Sequence, residues 1–274
     1  MYRVLLFVGF AAGLAACGGK SDSPIAPSAT TSSISVTVNS PVRMGQTTQV
    51  SGTSMLSNGQ SQPITSGWQS DATSVATVTD AGLVAGISNG RATIYVVSGG
   101  RQGQQVIRVV PDYQGSWSGG LRVTACTQTG IFIQAGFCNE FPVNSTDSDY
   151  SLSLAQSGEL MTARASFGSP LDFPSIAAPI QADGTSSFAP TVVVTDSGLT
   201  LTVDATFAIN SPRVGELAGT VSHIWRVPNV SGEARVVNDI TGTTRTSTTA
   251  LTAGEAGSLL TSPILKRLAG AKGF

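Results

Sequence analysis

The residues able to do chemistry are few: three cysteines, one histidine and a thin scatter of carboxylates along 274 residues. Catalysis needs a positioned nucleophile, a base near neutral pKa or a metal. The single base of that kind is His223, in the alternating run Val221-Ser222-His223-Ile224-Trp225. On a strand His223 shares a face with Val221 and Trp225 while Ser222 points the other way, so the two cannot act as base and nucleophile. The run predicts a hydrogen-bonded histidine in a core or lumen. Asp147 and Asp149, with Asn144 nearby, carry oxygen atoms of the kind calcium takes, but the spacing and glycine of an EF-hand loop are missing. A polar turn is the reading there. No glycine-rich loop follows a strand and opens a helix, so a phosphate cradle is lacking. The sequence predicts no catalytic residue, no cofactor and no metal site.

Cysteine chemistry starts at the amino terminus. Arg3 precedes the apolar run Val4 to Gly13, too short to span a bilayer as a stable helix, and Leu14-Ala15-Ala16-Cys17 follows at once. Small residues before a cut let the backbone lie extended in a peptidase groove. This quartet resembles the lipobox of bacterial lipoproteins. The resemblance implies a signal peptide over 1–16, a diacylglyceryl group on the sulfur of Cys17, and Cys17 as the first residue after cleavage. Each buried acyl methylene is worth about 0.8 kcal/mol, and two or more chains make anchoring stable. Gly18 after the cysteine resembles the outer-membrane sorting pattern, so the expected location is exported and lipid-anchored, at the outer membrane, on its periplasmic face or the cell surface. Residues 17–33, rich in Gly, Ser, Pro, Ala and Thr, read as a flexible tether.

Cys126 and Cys138 are the remaining thiols. In an exported chain such a pair oxidises, and a tetrahedral metal site would need ligands that a lone histidine does not complete. A disulfide is predicted, its closed loop worth roughly 3 kcal/mol on the chain-entropy view.

Charge and composition narrow the rest. Charged residues make up 11% of the chain, and 15 Lys plus Arg face 16 Asp plus Glu with no block of either sign, so a nucleic-acid footprint is absent. Glycines, of which there are 31, punctuate stretches crowded with Thr, Ser and Val. That mixture suits short strands and tight turns.

Over 34–111, period-two runs such as Ile34, Val36, Val38 and Ala92, Ile94, Val96 alternate with turn signals at Asn58-Gly59, Asp80-Ala81-Gly82, Asn89-Gly90 and Gly99-Gly100. Short strands at that spacing argue a β-sandwich. From Trp68-Gln69-Ser70-Asp71-Ala72-Thr73-Ser74-Val75-Ala76-Thr77-Val78 through Gly82-Leu83-Val84-Ala85-Gly86 to Gly90-Arg91-Ala92-Thr93-Ile94, the segment resembles the group 2 bacterial immunoglobulin-like domain (BIG2) of intimin-type and invasin-type adhesins and of surface lipoproteins. The resemblance implies an immunoglobulin-like fold without fixing a ligand. Trp68 is expected in the core, and Gly82, Gly86 and Gly90 at turns that side chains would obstruct.

Over 112–247 the alternation restarts. Tyr150, Leu152 and Leu154 share a face, as do Leu199, Leu201, Val203, Ala205 and Phe207; Leu217, Val221 and Trp225 mark another strand. Sequential antiparallel strands make a meander, and about eight over this length can close into a barrel. The layout is similar in outline to lipocalin-like barrels, with the early Gly115-Ser116-Trp117. The fold class expected for the whole is all-β, an immunoglobulin-like β-sandwich followed by an antiparallel β-meander or barrel. The tail 248–274 loses alternation; Ser262 to Gly270 carries a cap, a first-turn proline and a stop glycine that allow a short helix offering Lys266, Arg267 and neighbouring Lys272 to a membrane or partner, but so short a helix is marginal in water and a low-order, frayed terminus is the expectation.

Two functions of different kind fit. One is a non-enzymatic surface lipoprotein held to the membrane through Cys17, with an adhesion, spacer or binding role toward a surface protein or glycan. The other makes the second domain a receptor for a small apolar or glycan ligand, with Trp117, Phe207, His223 and Trp225 as wall residues. A hydrolase has only His223 in its favour.

Overall fold

A computed structural model describes residues 28–168, 171–196, 198–246, 267, 268 and 270. Cys17, the signal segment and most of the tail lie outside the described residues.

The first nine strands are β1 (Thr31–Val38), β2 (Val42–Arg43), β3 (Thr47–Leu56), β4 (Ser61–Ile64), β5 (Gln69–Ser70), β6 (Ala76–Val78), β7 (Leu83–Gly86), β8 (Gly90–Ser98) and β9 (Arg101–Val110). Strand β1 begins at Thr31, inside the stretch whose composition suggests a tether. One sheet runs β1-β3-β7-β6 with β4 on β3, the other β2-β9-β8-β5. They face each other over Val50, Trp68, Val84, Ile94, Ile107 and Val109. The period-two run at Ala92, Ile94 and Val96 is buried as expected. Trp68 is core, its ring so close to β3 that a Cβ at Gly52 would lie 2.7 Å from it. Gly82 sits in a turn at φ +84°, whereas Gly86 lies within β7, where a Cβ would stand 2.8 Å from the Arg43 carbonyl. Gly86 is therefore needed for close approach of two backbones, not for a turn.

The second domain contains β10 (Gly115–Gln128), the short helix α1 (Ile131–Gln134), a 3-10 turn (Phe137–Glu140), β11 (Thr146–Ser157), β12 (Leu160–Ser166), β13 (Ile176–Pro179), β14 (Ser186–Phe188), β15 (Thr191–Asp196), β16 (Leu199–Asn210), β17 (Ala218–Arg226) and β18 (Glu233–Thr246). Strands β10 to β13 pair antiparallel in sequence, as do β16 to β18, and both β14 and β15 lie along β16, as two halves of one position interrupted near Pro190. Proline has no N–H to give a ladder, which fits a break there. Strand β18 returns to pair with β10 from Ser116↔Thr246 to Gln128↔Ala234. The other two neighbours, β13 and β14, meet at the bridge Ile180↔Ser186. The sheet thus curls round on itself, as the meander pattern predicts.

Alternation fills its inside. Along β16 Leu199, Leu201, Val203, Ala205, Phe207 and Ile209 are buried, while the residues between them are half-buried or exposed. A fully buried Leu or Phe contributes about 1.5–3 kcal/mol, so these inward rows hold the domain together.

Candidate functional site

The four residues expected to line a lumen are all packed inside the second domain. Trp117, Phe207, His223 and Trp225 are no more than 2% exposed. Phe207 stacks on Phe188 at 4.6 Å between ring centroids, with Phe167 on it at 6.0 Å. His223 meets the edge of Phe167 at 4.7 Å, and Trp225 lies 5.6 Å from Phe137. Trp117 donates from Nε1 to the Tyr113 carbonyl at 2.8 Å, and the Arg245 guanidinium lies 4.6 Å over its ring. Rings occupy the space these side chains face.

His223 Nε2 has no hydrogen-bond partner among the described residues, nor has Trp225 Nε1, so the expectation of a hydrogen-bonded histidine fails at that nitrogen. No carboxylate or serine bonds to the imidazole among the described residues. Burial among aromatic rings lowers its pKa to about 4, so the ring is neutral near pH 7. It packs as an apolar group.

Asn144 adopts φ 69° in the turn before β11, and Asp147 and Asp149 lie in the first positions of that strand. No group of three metal-ligating side chains is found among the described residues.

Cys126, near the end of β10, is bonded to Cys138 in the 3-10 turn, with Cα atoms 5.7 Å apart. The bond pins a cap that the sequence reading does not contain. Between Gly130 and Phe141 the chain folds as α1 and the 3-10 turn, too short to show a helical period, and lays Phe132, Phe137 and Phe141 against the inside. Phe137 packs on Phe132 at 5.4 Å and on Phe141 at 5.0 Å. The signal available in the sequence was the aromatic spacing between Gly130 and Gly136 and beyond, set beside a cysteine. At the same end, Arg267 pairs with Glu140, and Leu268 is fully buried. Residues 267, 268 and 270 are helical.

The opposite end carries the densest polar network. Val110 to Tyr113, which join the two domains, are all buried. Arg108 is 7% exposed; its Nε donates to Glu159 at 3.1 Å and its Nη2 to the carbonyls of Gln181 and Ala182 at 3.0 and 2.8 Å. A first-domain side chain is thereby threaded into the second. Asp112, 4% exposed, accepts from Arg43 at 3.3 Å and from Arg245 at 2.9 Å. The Tyr113 hydroxyl donates to the Gly184 carbonyl at 2.6 Å, and burial pushes its pKa up, so it stays a donor. The Gln156 side chain accepts from the Tyr113 N–H and donates to the Pro111 carbonyl. A buried guanidinium is costly unless its donors are met, and here Arg108 reaches three backbone carbonyls and a carboxylate. Sequence reading marks only a boundary at Pro111, because Arg108 and Asp112 look like ordinary surface charges until the second domain is placed on them.

Residues 29–110 match the family of bacterial Ig-like domains, group 2, and form such a domain. No curated protein is significantly similar to the chain. Among solved structures, domains 4–9 of the surface layer protein SbsC align over 76% of this chain and 31% of theirs, at 15% identity and a TM-score of 0.28. Domains 5–6 of the same protein align over 76% of this chain and 97% of theirs, at 16% identity and a TM-score of 0.26. The chain thus spans about a third of the first of these structures.

Proposed function

We propose that this is an exported, lipid-anchored surface protein without enzymatic activity, in which the BIG2 domain and the second β-domain act as one stiff unit that holds its far end away from the membrane. The observation that carries the reading is the buried joint. A chain whose domains had to move independently would place a polar, solvated linker where Val110 to Tyr113 are buried. The membership of residues 29–110 in a family met in surface proteins supports the location, and the resemblance of Leu14 to Cys17 to a lipobox supports the anchor.

Two measurements test it. Metabolic labelling with a radioactive or alkyne fatty acid is expected to mark the wild-type protein and to lose the mark in Cys17→Ala, which leaves the membrane fraction; unchanged labelling of Cys17→Ala refutes the anchor. Small-angle scattering of the protein in detergent micelles is expected to fit one fixed arrangement of the two domains. A broad distribution of interdomain distances refutes the stiff unit.

A further inference from the structure

We propose that the outer face of β10, β11 and β12 is a binding site for an acidic saccharide, with Arg164 as the residue that takes its carboxylate. Strand register places the side chains in two rows. Ser116 lies opposite Ser153, and Ser153 opposite Arg164, giving one row across three strands. Ser151 lies opposite Ser166, and Ser166 is bridged to Asp172, giving the next. These residues alternate with the buried Trp117, Leu152, Leu154, Ala163 and Ala165, so they face outward. Together they line a groove of about 440 Å³.

A groove on the outside of a curled sheet needs a wall. It is supplied by Asp172, which is bridged to Ser166 and stands beside the edge of β12. Strands stand about 4.8 Å apart and alternate residues roughly 7 Å apart, so two rows over three strands make a floor of about 10 Å by 7 Å. That is the size of one or two pyranose rings.

The chemistry of the lining selects the ligand class. Serine hydroxyls both donate and accept, as sugar hydroxyls do. The Arg164 side chain is exposed and, like those of Arg91, Arg101 and Arg235, has no hydrogen bond or ion pair among the described residues; of these four it alone lines the groove. A free planar guanidinium amid hydroxyls fits a bidentate carboxylate. Asp172, held by the Ser166 hydroxyl, accepts from a ligand hydroxyl and repels a ligand of many negative charges, which disfavours phosphate chains. No large apolar side chain lines the groove, which disfavours a hydrophobic peptide or lipid.

The proposal deepens the surface reading given above but does not depend on the anchor, since the binding is measured on purified protein. The test is titration of the full mature chain in detergent micelles with a trisaccharide carrying a single glucuronic acid, its methyl ester and a neutral glucose trisaccharide, followed by calorimetry. The expected result is binding of the acid only, weakened tenfold or more by Arg164→Gln, and likewise by Ser153→Val, whose added methyl fills the groove at a position that tolerates a β-branched residue. Arg122→Gln, at an exposed ion pair elsewhere on β10, is expected to bind as wild type. Equal affinity for acid and ester, binding that survives Arg164→Gln, or no binding of the acid at millimolar concentration overturns the site. Each of those results leaves the labelling of Cys17 unaffected, so the failure of one proposal is not mistaken for failure of the other.

Discussion

Protonating His223 puts a charge among Phe167, Phe173 and Trp225, and burial holds its pKa near 4, below the usual value of 6.5. Between those values the unfolded chain takes up a proton that the folded one refuses. This contribution to stability is full above about pH 6.5, falls as the pH drops toward 4 and levels off below it, a loss on the order of 3 kcal/mol. His223→Leu is expected to flatten thermal stability across that window, read as melting temperature against pH; an unchanged slope in the variant refutes the assignment. The inward direction of His223 was legible from its neighbours' alternation, but its lack of a partner at Nε2 was not, because that depends on which rings arrive from Phe167 and Phe173. Gly86 teaches the same lesson. A glycine after an alternating run reads as a turn, and only the Arg43 carbonyl beside it reveals a contact. Gly86→Ala is expected to cost about 1–3 kcal/mol in chemical denaturation through that clash.

At the level of elements, the strands with clean alternation, β8, β16 and β17, were readable because one face of each is buried and the other is not. The cap between β10 and β11 was not, since helices of four residues carry no period. The disulfide ties this short cap to β10. Replacing both Cys126 and Cys138 by alanine is expected to lower stability by roughly 3 kcal/mol for a closed loop of 12 residues' separation, which for a domain of this size is a fall of roughly 6–12 °C in melting temperature. Reducing agent should reproduce the shift in the wild type and leave the double variant unmoved. A wild type indifferent to reduction would show that the aromatic packing of Phe132, Phe137 and Phe141 holds the cap by itself.

For the whole molecule, the joint ties together two folds that the sequence leaves side by side, and cooperative unfolding is the outcome expected from it. Removing Asp112 leaves Arg43 and Arg245 facing each other without their carboxylate; because both guanidiniums are partly solvated, the loss of these charged hydrogen bonds costs about 1–3 kcal/mol. Scanning calorimetry is expected to show one transition in the wild type and two in Arg108→Ala or Asp112→Ala, as each domain melts alone. Two transitions already present in the wild type would show that the domains were never coupled. The two-domain layout was legible from composition and turn spacing; the joint was not, because its partners lie far apart in sequence, Arg108 with Glu159 and Ala182, and Asp112 with Arg245.

The pairing of β18 with β10 also sets the order of events when the chain is made. Strand β10 is delivered first in its domain and its partner last, so a chain emerging from its N-terminus carries one bare edge of β10 until Glu233 to Thr246 has appeared. Contacts that join the two ends of a domain form slowly, because the loop between them must close first, and an unpaired edge meanwhile offers itself to other chains. The domain therefore closes in one late step, and β18, fourteen residues long and paired on both sides, is the strand whose loss opens it.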